Sequence, residues 1–410
     1  MSRFPKISET FVLYEILEII RMGYSVEVFP LIREREGIVH PEAQPIVDQA
    51  HYSKPFGRKI LAAHAYWLRR RPRIYLQTLA GVIAANIGSP KFLARALIVL
   101  LQAAWFAREM ERLGVTHVHA HFATHPALAA YVVKRLAGIS YSFTVHADDI
   151  YTQRPMLAEK IRQARQVVSI SDYNRRFLER LYGDLARAKV TVVHCGVDVG
   201  VFAPRPAPAP RAEFHIACVA RMEEKKGHTY LLDACAHLRD RGVPVRCHLI
   251  GDGELRPEVE AQIARLNLGE VVELHGRQPR GRVKELLAAA DVMVLPSITT
   301  AEGRQEGIPV ALMEAMATEL PVVSTRTSGI PELIEHGRSG LLVPERDAEA
   351  LTRALLLLAT NRDLGPRLGA AGRARVLAEF DLRENARMLS RILTTDLAAP
   401  LDTVKLERAF

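Results

Sequence analysis

Residues 291–325 read DVMVLPSITTAEGRQEGIPVALMEAMATELPVVST, and the order of features along them sets the architecture. Val292–Leu295 is a short continuous apolar run, Val310–Ala317 is helix-forming once Pro309 has supplied a first turn, and Pro321–Ser324 is a second apolar run. Strand, helix, strand, with both strands apolar throughout, predicts a parallel sheet covered by helices on both faces. The helical part, EGIPVALMEAM at 306–316, contains a conflict. Glu314 stands among Leu312, Met313, Ala315 and Met316, in a helix apolar enough to be buried. An unpartnered buried carboxylate is costly, so it requires a partner, a proton or a ligand. One reading is a structural ion pair with an arginine. The other is that Glu306 and Glu314 hold hydroxyl groups of a polar ligand while the helix N-terminus faces its anionic part.

The same alternation extends outward. Phe214–Val219, Val245–Ile250 and Val271–Leu274 read as strands, separated by helices at His228–Arg241, Glu254–Leu266 and Arg282–Ala290. With right-handed crossovers this is an α/β, doubly wound, Rossmann-like domain. Helices at Asp347–Thr360, Leu364–Glu379 and Leu382–Thr395 finish the chain. Residues 203–212, APRPAPAPRA, read as a semi-rigid linker. The expected division is therefore 1–202, linker 203–212, 213–379, and a final helix over 380–397. The first half repeats the theme: a helix capped by Ser8 and running to Met22, a strand at Val26–Leu31, a helical region over Arg58–Leu113, and strands near His117–His121, Ser142–His146, Val167–Ile170 and Val190–His194. A helix at Pro126–Ala137 lies between two of them. A doubly wound domain opens on a strand, whereas this chain opens on a loop and a helix. The expectation is an N-terminal sheet lacking its first strand.

The chain has 410 residues, which implies two domains, and four cysteines without metal-ligand spacing, which read as reduced thiols of a cytosolic protein. No leader-like segment stands at the start, and the longest apolar run, Ala96–Ala107, is too short to cross a bilayer. The net charge of +9 sits in the first half: residues 1–200 carry 27 Lys+Arg against 17 Asp+Glu, and 201–410 carry 28 against 29. From Gln49 to Arg108 there is no acidic residue. Arg69, Arg70 and Arg71, with Trp67 and Trp105, make the 54–108 region a candidate for an anionic membrane surface or its acceptor. A solvated basic face of core helices is the plainer reading. No nucleic-acid motif accompanies the charge.

Ligands of open α/β sheets bind beyond the carboxyl ends of the strands. There the sequence places Glu306, Gly307, Ile308 and Val310, whose glycine admits a close approach and whose amides suit phosphate oxygens. Gly251-Asp252-Gly253 ends another strand at that edge. Arg221 and Lys226 follow the first strand of this half, as two cations able to neutralise a diphosphate without a metal.

These segments resemble the family 4 retaining glycosyltransferases of GT-B fold, in which two Rossmann-like domains face each other across a cleft. EGIPVALMEAMA is similar to the family's E-x7-E segment, ARMEEKKGH to its Arg-x4-Lys segment, LIGDGE to its GxG turn, and TSGIPELIEHGRSGLLVP to its Gly-rich stretch, in the family's order over 216–345. SRFPKISETFVLYEI, HVHAHFATHPA, FTVHADDIY and ISDYN resemble a branch building bacterial exopolysaccharides such as colanic acid. The resemblance implies that Glu306 binds donor-sugar hydroxyls and Glu314 the ribose. It gives Arg221 and Lys226 the departing diphosphate, and Gly307, Ile308 and Val310 the phosphates or sugar. Gly251 and Gly253 would admit the donor, Arg277 would cradle the base, and His146 would face the sugar. His119 and His121 read as core histidines. The implied substrates are a UDP- or GDP-sugar and a lipid-linked or polysaccharide acceptor, with transfer at retention by a front-face mechanism. The implied location is the cytoplasmic face of the plasma membrane. No cofactor or metal is expected, since Asp148-Asp149 beside His146 is too little for one. The alternatives are a sugar-nucleotide 2-epimerase of similar architecture and a non-enzymatic scaffold with a degenerate transferase domain.

Overall fold

The computed structural model describes residues 1–6, 9–34, 40–54, 56–205 and 211–394. Ser8 and the linker prolines Pro206, Pro208 and Pro210 lie outside them. The chain divides into two compact units. One contains Met1–Ile170, Asn174–Val193 and the residues from Ala386 onward, and the other contains Ser171–Tyr173 and His194–Asn385. The change of unit falls at Val193/His194, upstream of the proline run. The flanks of that run are fastened to the second unit: Arg205 donates to the carbonyls of Ala288 and Ala290 at 3.0 and 2.6 Å, and Arg211 to Ala289 at 2.6 Å. Arginines there satisfy the last carbonyls of the helix Arg280–Ala289, which have no partner within it.

In the first unit, β1 (Arg3–Phe4) pairs in parallel with β2 (Ile32–Arg33). The opening residues therefore do form a strand, though a two-residue one, followed by the helix Thr10–Arg21. The predicted strand Val26–Leu31 is displaced: the chain forms no ladder from Tyr24 to Pro30 and pairs only at Ile32–Arg33. A separate parallel sheet runs β3 (His117–His121), β4 (Ser140–Val145), β5 (Gln166–Ser169), β6 (Val190–Val192). The basic region forms three helices, Arg58–Arg70, Pro72–Asn86 and Pro90–Arg112. The last is a single 23-residue helix, longer than the predicted apolar run and long and apolar enough to cross a membrane by length and composition. Much of it is core, with Val99, Leu100, Ala103, Ala104, Trp105 and Phe106 buried. The final helix, Leu382–Thr394, enters this unit at Ala386, where Leu389 packs with Val168, Val193 and Ile19.

The second unit has one parallel sheet built from β7 (Phe214–Val219), β8 (Val245–Ile250), β9 (Val272–Gly276), β10 (Val292–Leu295), β11 (Val322–Thr325) and β12 (Leu341–Val343). Their spatial order is β12-β11-β10-β7-β8-β9. β10 and β11 are buried at every position, as expected for strands covered on both sides. The chain winds away from β7 in one direction and from β10 in the other, so the order reverses between these neighbours. That is the point where doubly wound sheets open a crevice at their carboxyl edge.

Candidate functional site: an anion cradle at the switch point

The loops after β7 and β10 are bound to one another. Gly227 has φ +68°, and a Cβ there would stand 2.0 Å from the Pro296 carbonyl oxygen, so only glycine lets the two backbones touch. The Ile298 amide donates to the Lys225 carbonyl at 2.9 Å. This contact sets Lys225 and Lys226 against Glu306. Lys226 Nζ lies 2.9 Å from Glu306 Oε2, and Lys225 Nζ lies 3.6 Å from Oε1. Glu306 is 7% exposed, and its Oε1 is buried without a hydrogen bond. Burial pushes its pKa up, but the Lys226 and Lys225 ammonium groups outweigh burial and hold it below the ordinary carboxylate range. Arg221 Nη1 meets Glu223 Oε1 at 2.9 Å, and Arg304 approaches the other oxygen at 3.5 Å.

Sequence reasoning found Arg221, Lys226 and Glu306 and missed Lys225, Glu223 and Arg304. The run Glu223-Glu224-Lys225-Lys226 held the signal for two of the three, but only the fold shows which charges turn inward. The cluster holds four cations and two carboxylates, a net positive site. Beside it the helix Val310–Ala317 begins after Pro309. The amides of Gly307, Ile308 and Val310 precede or open that helix, and the first amides of a helix have no partner within it.

Glu314 is partly buried on the same helix. Burial raises its pKa to about 7, with the Arg280 guanidinium pulling the other way. Arg280 itself stacks over the Phe202 ring, 5.0 Å from its centre. The two glutamates therefore differ: Glu306 is ionised and ion-paired, whereas Glu314 sits on the edge of protonation. Gly251 and Gly253 have a structural reason for being glycine. A Cβ at Gly251 would meet the Ala220 oxygen at 2.0 Å, and one at Gly253 the Met222 oxygen at 2.4 Å. Their smallness lets the ends of β7 and β8 meet. Arg277 lies on the exposed turn after β9, at the same sheet edge but two strands from β7.

In the first unit, His146 follows β4 and is buried, with Nε2 3.3 Å from His121 Nδ1. His121 Nε2 in turn lies 3.1 Å from Glu15 Oε1. Burial, then the neighbouring His121, keeps the His146 pKa well below its usual value, so the ring is neutral at pH 7. Asp149 accepts the amides of His146, Ala147 and Ala123 at 3.0, 2.7 and 2.8 Å, which fixes the loops after β3 and β4. It is a backbone anchor.

The 54–108 residues divide. Trp67 and Trp105 are corrected to core positions: Trp67 is fully buried with Nε1 donating to the Ala104 carbonyl at 2.8 Å, and Trp105 is buried as well. Both tryptophans lie on the inward stripe of an amphipathic helix, where their rings fill the unit's core. Arg71 donates to the Leu136 carbonyl at 3.0 Å and Arg70 pairs with Glu111 at 2.8 Å, while Arg69 is exposed.

Residues 8–201 match the model of Glycosyltransferase Family 4 and residues 203–375 that of Glycosyl transferases group 1. The chain is 33% identical to the putative colanic acid biosynthesis glycosyltransferase WcaL of Escherichia coli K12, over 97% of this chain and 98% of that protein. It is 34% identical to the amylovoran biosynthesis glycosyltransferase AmsK of Erwinia amylovora, over 95% and 97%. Among solved structures, Anabaena Alr3699/HepE in complex with UDP and glucose superposes with a TM-score of 0.71 at 16% identity, covering 96% of this chain and 98% of that one. A Rickettsia africae glycosyltransferase superposes at 0.70 with 18% identity, covering 96% and 97%. Both likenesses give the GT-B fold.

Proposed function

We propose that this chain, which belongs to glycosyltransferase family 4, moves a sugar from a nucleoside-diphosphate sugar to a hydroxyl of a growing exopolysaccharide unit, with retention at the anomeric carbon. Family membership makes it a glycosyltransferase and sets aside the epimerase and scaffold readings. The exopolysaccharide assignment is carried over from WcaL and AmsK. The observation that carries the donor reading is the Lys226–Glu306 pair at the switch point, with a buried Glu306 oxygen still lacking a hydrogen bond beside the first amides of a helix.

In this reading Glu306 Oε1 accepts a hydroxyl of the donor sugar. Lys226 and Arg221, with the amides of Gly307, Ile308 and Val310, hold the diphosphate. The bond between the anomeric carbon and the diphosphate oxygen breaks with its electron pair staying on the diphosphate. The acceptor oxygen bonds to the same carbon from the same face, and its proton passes to a phosphate oxygen. Lys226 and Arg221 are two fixed charges at the point where negative charge develops, so no metal is assigned to the step. Glu314 holds the ribose and Arg277 the base.

The reading includes a lipid-linked acceptor at the inner face of the plasma membrane, supported by the first unit's exposed apolar and basic side chains. Phe56, Leu61 and Ile87 are 80, 67 and 68% exposed, close in sequence to the exposed Arg58, Lys59, Arg69 and Arg73. Incubation with UDP- and GDP-sugars and a polyprenyl-diphosphate saccharide tests the reading. The expected result is nucleoside diphosphate released only when donor and acceptor are both present, with an α-linked product from an α-linked donor. Release without acceptor, or inversion of the anomer, would overturn it.

A further inference from the structure

We infer that His248, Glu273 and His275 bind one divalent transition-metal ion of the zinc class at the β9 edge of the second unit's sheet, with His215 orienting His248. The site stands apart from the donor reading and does not rest on it. Register places His248 of β8 directly beside Glu273 of β9, and His275 two residues further on projects from the same face. His215 of β7 shares that face, because Ala217, two residues on, is the register partner of His248. The opposite face of these strands is the apolar core, with Ile216, Cys218, Cys247 and Leu249 all fully buried. One sheet face is thus oil, and the other carries a row of imidazoles across three strands.

The donor atoms are already gathered. His248 Nδ1 is 3.0 Å from His275 Nε2 and 3.4 Å from Glu273 Oε2, and His275 Nδ1 is 3.6 Å from Glu273 Oε1. An ion with bonds of about 2.0–2.1 Å in a tetrahedron holds its ligand atoms about 3.3–3.4 Å apart; one donor atom from each of the three residues already lies within 4.8 Å of the other two, so side-chain rotations would admit it. Nitrogen donors with one carboxylate suit zinc, nickel, cobalt or copper rather than magnesium or calcium. The second shell is present too. His248 Nε2 lies 3.1 Å from His215 Nδ1, and His215 Nε2 lies 3.6 Å from Glu213 Oε2. A ligating histidine that gives its other N–H to such a partner has its tautomer and ring plane fixed. The His248 and His275 side chains are 13 and 10% exposed while Glu273 is 55% exposed, so an ion enters from solvent along the carboxylate.

The other histidine cluster, Glu15 with His119 and His121, lacks these merits. His119 is engaged at both nitrogens by Ser142 and Thr144, at 2.8 and 2.9 Å, and His121 by His146 and Glu15. An ion at His248, Glu273 and His275 would clamp β9, the edge strand that leads into Arg277, to its neighbour β8. It would leave a fourth coordination position open to water.

The test uses the full-length protein, stripped with a chelator and titrated with Zn2+ alone by calorimetry and thermal melting. One ion per chain and a raised melting temperature are expected. The pair His248→Gln with His275→Gln loses saturable binding while melting like the metal-free wild type. His215→Ala keeps the stoichiometry but weakens binding ~10–100-fold. Co2+ in place of Zn2+ gives ligand-field bands without thiolate charge transfer, which separates this site from Cys195. No saturable Zn2+ binding, binding retained in the double variant, or a thiolate band with Co2+ would each overturn the inference.

Discussion

Glu306 and Glu314 lie on one turn-and-helix segment yet hold opposite protonation preferences. Glu306 is stabilised as an anion by Lys226 and Lys225, so Glu306→Gln keeps the volume and a hydrogen bond to Lys226 but removes the charge. We expect kcat to fall by ~10²–10³ with the circular dichroism spectrum unchanged. Activity within a few-fold of wild type would remove Glu306 from the site. Removing the carboxylate altogether, as in Glu306→Ala, strands two partly buried ammonium groups and should cost about 1–3 kcal/mol of stability in a urea melt. Glu314 behaves in the opposite way. Its pKa rises by burial to about 7 in the folded protein from the 4.5 of an ordinary glutamate. The native state therefore binds the extra proton between these values, and stability falls as pH rises through that window, by about 3 kcal/mol at most. Glu314→Gln should flatten that slope. Because ribose hydroxyls donate best to an ionised carboxylate, affinity for UDP or GDP should strengthen from about pH 6 to about pH 8 in the wild type and stay level in the variant. Calorimetry at both pH values decides it, and equal slopes would separate Glu314 from the ribose.

At the scale of elements, the contact between the β7 and β10 loops depends on a hydrogen atom where any other residue carries carbon. Gly227→Ala would force a Cβ to within 2.0 Å of the Pro296 oxygen at a positive φ. It should lower the unfolding free energy by about 1–3 kcal/mol, and so the denaturation midpoint, and abolish nucleotide binding by separating Lys226 from Glu306. An unchanged midpoint would mean the two loops are not held as described. The strands of the second unit were legible in the sequence because β10 is a continuous apolar run and β7 and β8 are mainly apolar, with His215, Arg246 and His248 as the polar exceptions, and their observed bounds match the expected ones. Val26–Leu31 has a similar composition but finds no ladder there, since pairing depends on a neighbour that local composition does not specify. β12 is three residues long, too short for a periodic signal. The site was half legible. Charges at fixed spacing in one segment announced Arg221, Lys226, Glu306 and Glu314. Glu223 and Arg304 meet across two loops, and no local pattern brings them together. The tryptophans misled because aromatic residues among arginines look alike at a membrane surface and on the inner stripe of an amphipathic helix.

On the scale of the whole molecule, the basic half exposes Leu61, Leu68, Leu76 and Ile98 on the three helices between Arg58 and Arg112. Leu61→Asp with Leu68→Asp and Arg69→Glu alters only exposed positions and should abolish co-sedimentation with phosphatidylglycerol vesicles while leaving the melting temperature within a degree or two, as surface changes do. Sedimentation unchanged by the triple variant would argue that the acceptor is met in solution. The final helix places a different constraint on the protein. Leu389 completes a cluster with Val168 and Val193, and Arg165 donates to the Ile392 carbonyl, so the first unit contains both the earliest and the latest described residues. Topologically the second unit is an insertion within the first. On the ribosome the order of completion is therefore reversed: the domain that begins emerging second has all its residues first, while the one that begins first waits, its Val168–Val193 surface uncovered, for the last helix to leave the exit tunnel.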